Sequence, residues 1–361
     1  MASIEQFDLF GNPIEITHVA SKREPSSRLK SNASGSAKVA AAEADDELRR
    51  TAQSLPCDAF FGSSSWSFPG WSGIVYDAPH SDSQLARHGL PAYAAHPLLR
   101  AVGIDRTFYS PISEADFRGY AKQVEAINPR FRFLVKAPMM ITGPRLRSDD
   151  GRWSDNPAFL DAGLAAAQFV LPATAGLGIH CGALVFQFPP LGPRLTRSPE
   201  QFANALAEFL LALPKLSGDA YYAVEMRDPE VLTDDYLAAL CAGGATHCLA
   251  IHSRMPQARD QARFWRESGR LPLTVRWSLH SGFKYEEAKE RYAPFNALVD
   301  EDPEGRSQIA ALVREAEALG LPSMVIVNNK AEGSAPLTIR KLSELIAEHG
   351  ETVIKRHQVQ S

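Results

Sequence analysis

Cysteine is scarce in this chain. Four thiols occur in 361 residues, at Cys57, Cys181, Cys241 and Cys248, and no two stand at the two-residue spacing of a zinc site or a dithiol redox pair. A disulfide scaffold and a zinc finger are thereby excluded, and the four are read as reduced thiols. An excess of positive charge is also missing: 38 Lys and Arg face 42 Asp and Glu, a net charge of -4. No global basic field is present to hold nucleic acid or an anionic membrane, so any partner must be recognised locally. No uninterrupted apolar run approaches about 18 residues, so no membrane partner is expected. The N-terminus carries Glu5 and Asp8 where a secretory leader needs positive charge, and no apolar segment follows; the expected compartment is the cytoplasm. Neither a P-loop nor a G-x-G-x-x-G after the first strand is found.

What is present divides into a tail and a core. Residues 1–55 are rich in Ser, Ala, Lys and Glu, with Phe7 and Phe10 as their only aromatics, and are expected to form a disordered tail in which 45–55 has the pattern of a short helix. Residues 56–350 alternate short apolar runs with longer amphipathic ones, and 351–361 reads as a flexible end. Eight strands are expected, at 60–64, 102–108, 131–136, 183–188, 220–225, 247–252, 273–279 and 323–328. Helical periodicity fills 113–127, 157–171, 198–213, 234–242 and 307–319, with polar insertions at 143–156 and 285–306. Eight strands with intervening helices over about 300 residues predict the α/β class and a single (β/α)8 TIM-type barrel; a doubly wound open sheet is the alternative.

Barrel strands alternate between lumen and helix layer, and active sites occupy their C-terminal ends. Strand five, YYAVEMRDP, puts Tyr221, Ala223, Glu225 and Arg227 on one face with Asp228 following, and strand seven puts Arg276, Ser278 and His280 together. Strand three ends at Lys136, strand four at Gln187, strand six at His252 and strand eight at Asn328 and Asn329, while strand two carries Asp105 and Arg106. Each single position has a structural reading, as a rim ion pair, a satisfied histidine or a solvated terminus. Eight strands ending in polar side chains together point to a site.

The runs FFGSSSWSFPGW, GIDRTFY, FRFLVKAP, GALVFQFPP, YAVEMRDP and NNKAEGSAP, in this order over about residues 58–345, resemble the YecE-like family of barrel proteins, a domain of unknown function. The resemblance implies a (β/α)8 fold with a polar pocket at the strand C-termini, lined by Trp66, Thr107, Phe108, Tyr109, Lys136, Gln187, Glu225, Arg227, Asn328 and Asn329. The chain departs from the family pattern at Gly103, Arg106 and His252, which removes one acidic residue from the wall of strand two and an aspartate from strand six.

Lys136, Arg227, Arg276 and Arg106 outnumber the nearby anions, so the expected ligand is a phosphorylated, phosphodiester or otherwise small anionic substrate. Arg276 with Asn328 or Asn329 would orient phosphate, Glu225 would serve as general base and His280 as general acid. A metal version uses Glu225, Asp228, His252 and His280 to hold a divalent ion, the one cofactor considered. A third version makes Lys136 a nucleophile on a carbonyl substrate, and a non-enzymatic anion-binding module is the fourth reading. The aromatic residues Trp66, Phe68, Trp71 and Tyr76, with Phe108 and Tyr109, either cap the barrel or offer a stacking wall. In the tail, Gln6, Phe7, Asp8, Leu9 and Phe10 are similar to the Q-L-[SD]-L-F peptide through which bacterial replication and repair proteins dock on the sliding clamp. The alternative there is a latch in which residues 4–16 fold back on the barrel.

Overall fold

The computed structural model describes residues 6–7, 13–14, 38–147, 151–279 and 285–359. Eight strands form its centre: β1 (Ala59–Ser63), β2 (Ala101–Ile104), β3 (Arg132–Lys136), β4 (Cys181–Gln187), β5 (Tyr221–Glu225), β6 (Ala245–Ile251), β7 (Leu273–Trp277) and β8 (Ser323–Val327). They close in sequence order into a barrel, every neighbouring pair parallel, with β8 returning to β1 from Ser323 opposite Ala59 to Val327 opposite Ser63. The open sheet is thereby ruled out.

Period-two alternation splits the apolar residues of these strands into two sets. One set, including Phe60, Leu134, Val185, Tyr221, Met324 and Ile326, fills the lumen. The other, including Phe61, Phe133, Phe186, Val224, Val275 and Trp277, faces the helices. Gly62 sits where a Cβ would lie 1.9 Å from the Ala101 carbonyl oxygen, so β1 and β2 approach closely only because that side chain is absent.

The helix layer includes α1 (Asp46–Ser54), α2 (Glu114–Glu125), α3 (Leu171–Leu177), α4 (Pro199–Ala212), α5 (Asp234–Gly243), α6 (Ala258–Glu267), α7 (Pro303–Ala318) and α8 (Ala335–Val359), with further short helices and turns between them. Their starts are chemically marked: Ser113 Oγ accepts from Asp116 N at 3.2 Å, and Thr233 Oγ1 accepts from Tyr236 N at 3.2 Å.

Four boundaries differ from expectation. Strand two stops at Ile104, because Thr107 Oγ1 donates to the Ile104 carbonyl at 2.8 Å and Arg106–Phe108 turns into a 3-10 helix. The helix expected over 157–171 starts at Ala162 and reaches Leu177, widening to a π segment at Ala166–Val170 just before Pro172, which has no N–H for the regular ladder. This stretch, Ala162–His180, is by length and composition apolar enough to cross a membrane. Its Phe169, Val170, Ala173 and Leu177 are instead buried in the core, and Gly176 lies flush against Phe117 of α2. The folded chain also begins before residue 56: α1 buries Leu48 and Ala52, Ala42 N donates to Val75 O at 2.9 Å, and Arg340 of α8 meets Asp45 and Glu47. At the other end α8 runs to Val359, across the segment expected as a flexible terminus.

Both insertions carry structure. Arg145–Arg147 pairs antiparallel with Trp153–Asp155. In the second, Tyr285–Tyr292 is helical, and the chain after it is anchored by Glu332, whose carbonyl accepts from Val299 N at 2.8 Å and whose carboxylate accepts from Asp302 N at 2.5 Å.

Candidate functional site at the C-terminal end of the barrel

The lumen-facing parity of the strands brings Asp105, Lys136, Gln187, Glu225, Arg276 and Arg227 into one layer above the apolar lumen. Arg276 is its hub. Its Nη1 donates to Glu225 Oε2 at 2.6 Å and to Gln187 Oε1 at 3.1 Å, while its Nη2 donates to both oxygens of Asp105 at 3.0 and 2.9 Å. The second Glu225 oxygen pairs with Arg227 Nη2 at 2.5 Å, and Arg227 reaches Ser278 Oγ at 3.5 Å. Glu225, Arg227 and Arg276 are buried, so each charge is stable only through its partners. Burial works against ionisation of Glu225, but Arg227 and Arg276 outweigh it and hold the carboxyl below its ordinary value. Burial likewise opposes the charge of Arg276, and Asp105 and Glu225 overcome it.

Lys136 differs from these. Its side chain is wholly buried, its Nζ has no hydrogen-bond partner among the described residues, and it lies 3.6 Å from the ring centre of Phe108. Burial lowers its pKa to about 7, and the contributions of Asp105 and Glu225 are opposed by those of Arg276 and Arg227. Gln187 Nε2 is a second buried donor without a partner among the described residues. The layer therefore presents unmet donors, while the described carboxylate oxygens within it are already paired.

His252 borders this layer from the end of β6. Its Nδ1 accepts from Arg254 N at 3.2 Å, and burial, reinforced by Arg227, lowers its pKa to about 3, so the ring is neutral at pH 7. Asp228 ties two loops: its Oδ2 accepts from Leu191 N at 2.6 Å and Oδ1 stands 3.9 Å from Arg254. Burial raises its carboxyl above the ordinary value. Asn328 donates to Ser64 Oγ at 3.1 Å, joining the ends of β8 and β1. Asn329 is a brace, accepting from Ala335 N at 2.8 Å and from Trp71 Nε1 at 3.3 Å.

Three expected pocket residues stand apart from the charged layer. The Trp66 ring packs edge-on against Tyr120 of α2, and its Nε1 donates to Leu85 O at 3.1 Å. Arg106 is exposed and lies 5.4 Å over the same Tyr120 ring, outside the lumen, because the 3-10 turn rotates it outward. Tyr109 is 46% exposed at the rim, edge-on to Phe108. His280 lies outside the described residues, as do Asp8, Leu9 and Phe10; Gln6 and Phe7 pair antiparallel with Ile14 and Pro13.

The cation excess expected from the strand ends shrinks accordingly. With Arg106 outside, two guanidiniums balance two carboxylates and only Lys136 remains in surplus. Strand two contributes the carboxylate of Asp105, expected at its end and held here by Arg276. No group of three or more His, Cys, Asp and Glu side chains gathers among the described residues, and both Glu225 oxygens are engaged by guanidiniums. The described residues thus do not fit a divalent metal. Sequence reasoning missed Ser64, two residues beyond lumen-facing Gly62 and bonded to Asn328, and the role of Phe108 as roof over Lys136, for which no periodic signal exists.

A separate cavity of about 260 Å³ opens at the opposite, N-terminal end, lined by Phe60, Tyr221, Met324, Arg132 and Asp219 among others. Its Arg132 is paired with Asp219 at 2.7 Å, and it is remote from the strand C-termini.

Comparison with known proteins agrees with this architecture. The family profile described as "Protein of unknown function DUF72" matches residues 60–361. Among solved structures, a DUF72 family protein of Enterococcus faecalis is 14% identical, covers 79% of this chain and 95% of its own, and gives a TM-score of 0.50. One of Thermotoga maritima is 16% identical, with 80% and 98% coverage and a TM-score of 0.49. A search of curated proteins finds no match. Its six ordered motifs, its closed eight-stranded barrel and a profile match over residues 60–361 show that this chain belongs to the DUF72 family, the family of YecE-like proteins.

Proposed function

We propose that the chain is an enzyme that binds a small phosphorylated or otherwise anionic substrate at the C-terminal end of its barrel, with Lys136 as its reactive group. The observation that carries this reading is the pair of buried donors, Lys136 Nζ and Gln187 Nε2, that lack acceptors in a layer whose described carboxylates are already engaged. Leaving such donors unmet costs about 1–3 kcal/mol each, so the layer favours a ligand rich in acceptor oxygens. Burial that lowers a lysine pKa beside charged partners accords with a reactive amine as well as with a structural one, and the unmet donors favour the first.

The roles shift from those expected of the strand ends. Glu225 serves to hold Arg227 and Arg276 in place, since a carboxylate bound by two guanidiniums is a weak base. Proton transfer among the described residues falls to Lys136, whose pKa of about 7 suits it to give or take a proton at neutral pH.

The test is thermal unfolding of the full chain with increasing inorganic phosphate. At a hundredfold excess over its Kd the anion is expected to add about 2.7 kcal/mol of stability. The effect should be lost in Lys136→Met and weakened in Gln187→Leu. Equal stabilisation of all three proteins, or none of the native chain, would refute the reading.

A further inference from the structure

We propose that Lys136 is a covalent nucleophile whose amine attacks the carbonyl carbon of a small anionic aldehyde or keto compound in the upper lumen and forms an imine. The inference rests on the reading of that layer as an anion-binding active site, and it names the substrate class.

The argument is one of charge closure. Asp105 and Glu225 are matched by Arg227 and Arg276 through contacts of 2.5 to 3.0 Å, so the four form a balanced set. Lys136 is the fifth group, with no counter-charge left to it. Its Nζ is buried against the Phe108 ring with no acceptor among the described residues. An amine desolvated by burial, with no acceptor and no carboxylate left to pair it, gives up its proton readily, and a neutral amine has the lone pair a nucleophile needs. Its position is also fixed: Ala137 N donates to Val185 O at 2.8 Å, which extends the β3–β4 ladder past Lys136 itself.

The step balances without an oxidant or a metal. The nitrogen lone pair forms the C–N bond as the carbonyl π pair moves to oxygen, giving a carbinolamine. The C–O bond then breaks and the oxygen leaves as water with the two amine protons, leaving the imine. Uptake of one proton from solvent makes it an iminium, whose positive charge matches the anionic group of the substrate. A cluster balanced before binding is therefore balanced again afterwards, which is the electrostatic reason for pairing the carbonyl with an anion.

Access requires the turn Arg106–Phe108 to move, so the test uses the native chain and Phe108→Ala in parallel. Each is mixed with an equimolar amount of pyridoxal 5′-phosphate, a phosphorylated aldehyde, at pH 7. Borohydride then reduces any imine to a stable amine, and the labelled lysines are mapped by mass spectrometry. At a pKa of about 7 the neutral fraction of Lys136 exceeds that of an ordinary lysine by about a thousandfold. Lys136 is expected to carry most of the label, faster in Phe108→Ala, and excess inorganic phosphate should slow it. If Lys136 stays unlabelled in both proteins while phosphate still stabilises the chain, the covalent step is wrong and the anion site stands. If phosphate has no effect either, both fall.

Discussion

Replacing Lys136 with methionine keeps a side chain of similar length in the upper lumen while removing the amine, and it should stabilise the protein in a pH-dependent manner. The fall of the Lys136 pKa from 10.5 to about 7 means that the folded protein disfavours the protonated amine by about 5 kcal/mol relative to the unfolded chain. Below pH 7 both states carry the proton and the native chain bears the full penalty. Between pH 7 and 10.5 the unfolded chain holds a proton that the folded one has released, so native stability rises with pH by up to about 1.4 kcal/mol per pH unit. Above 10.5 both states are neutral and the penalty is gone. Methionine has no such titration, but it forfeits the contact of the ammonium with Phe108, worth about 1–2 kcal/mol. The expected net gain at pH 7 is about 3 kcal/mol, and the gap should close by about 2 kcal/mol between pH 7 and pH 9. Urea unfolding of both full-length proteins across that range measures it. A gap that does not change with pH, or a methionine variant less stable at every pH, would show that Lys136 keeps its charge in the fold.

The other expectations follow from the same contacts. Glu225→Gln leaves Arg227 and Arg276 buried without their shared anion and should lower stability by about 3–5 kcal/mol, read from urea midpoints; an unchanged midpoint would mean the carboxylate is not a structural anchor. Asn329→Ala removes the acceptor for Ala335 N and Trp71 Nε1, so a loss of about 1–3 kcal/mol is expected with phosphate affinity preserved. The reverse pattern would place Asn329 in the ligand site. Phosphate should bind about tenfold more weakly for each pH unit above about 7, because binding draws on the protonated Lys136, and calorimetric titration at pH 6.5 and 8.5 tests the sign. We also propose that the tail docks on a sliding clamp: a peptide of residues 1–16 titrated against a bacterial clamp should bind through Leu9 and Phe10, and absence of binding by both peptide and full chain would leave the latch reading of residues 4–16.

Much of this was legible in the sequence because barrel strands repeat every two residues. Alternation alone assigns the run Tyr221, Ala223, Glu225 and Arg227 to the lumen, and Arg276 with Ser278 likewise. All eight strands fall within two residues of their expected starts. What periodicity does not encode is where a strand gives way to a turn. Asp105 and Arg106 were read alike, yet the 3-10 turn after Ile104 leaves Asp105 on Arg276 and swings Arg106 out onto Tyr120. Pairing is equally invisible in one dimension. Glu225 read as a base until both its oxygens proved to be held by guanidiniums from β7 and from the turn after β5. Asn329 likewise read as a ligand residue, but its side chain caps α8 and holds Trp71 from 258 residues away. The helical start of the folded chain was legible in the cap Asp45 and in Leu48, but the surface it docks on belongs to α8, nearly the whole length of the chain away.

The most direct test of the central claim is a crystal structure of the full chain grown with inorganic phosphate as the sole multivalent anion. The account predicts phosphate in the upper lumen, with oxygens within hydrogen-bond distance of Lys136 Nζ and Gln187 Nε2 and with the Glu225 bridge between Arg227 and Arg276 intact. Phosphate bound only at the N-terminal end on Arg132, or an upper lumen in which Lys136 and Gln187 find their acceptors within the protein itself, would contradict it.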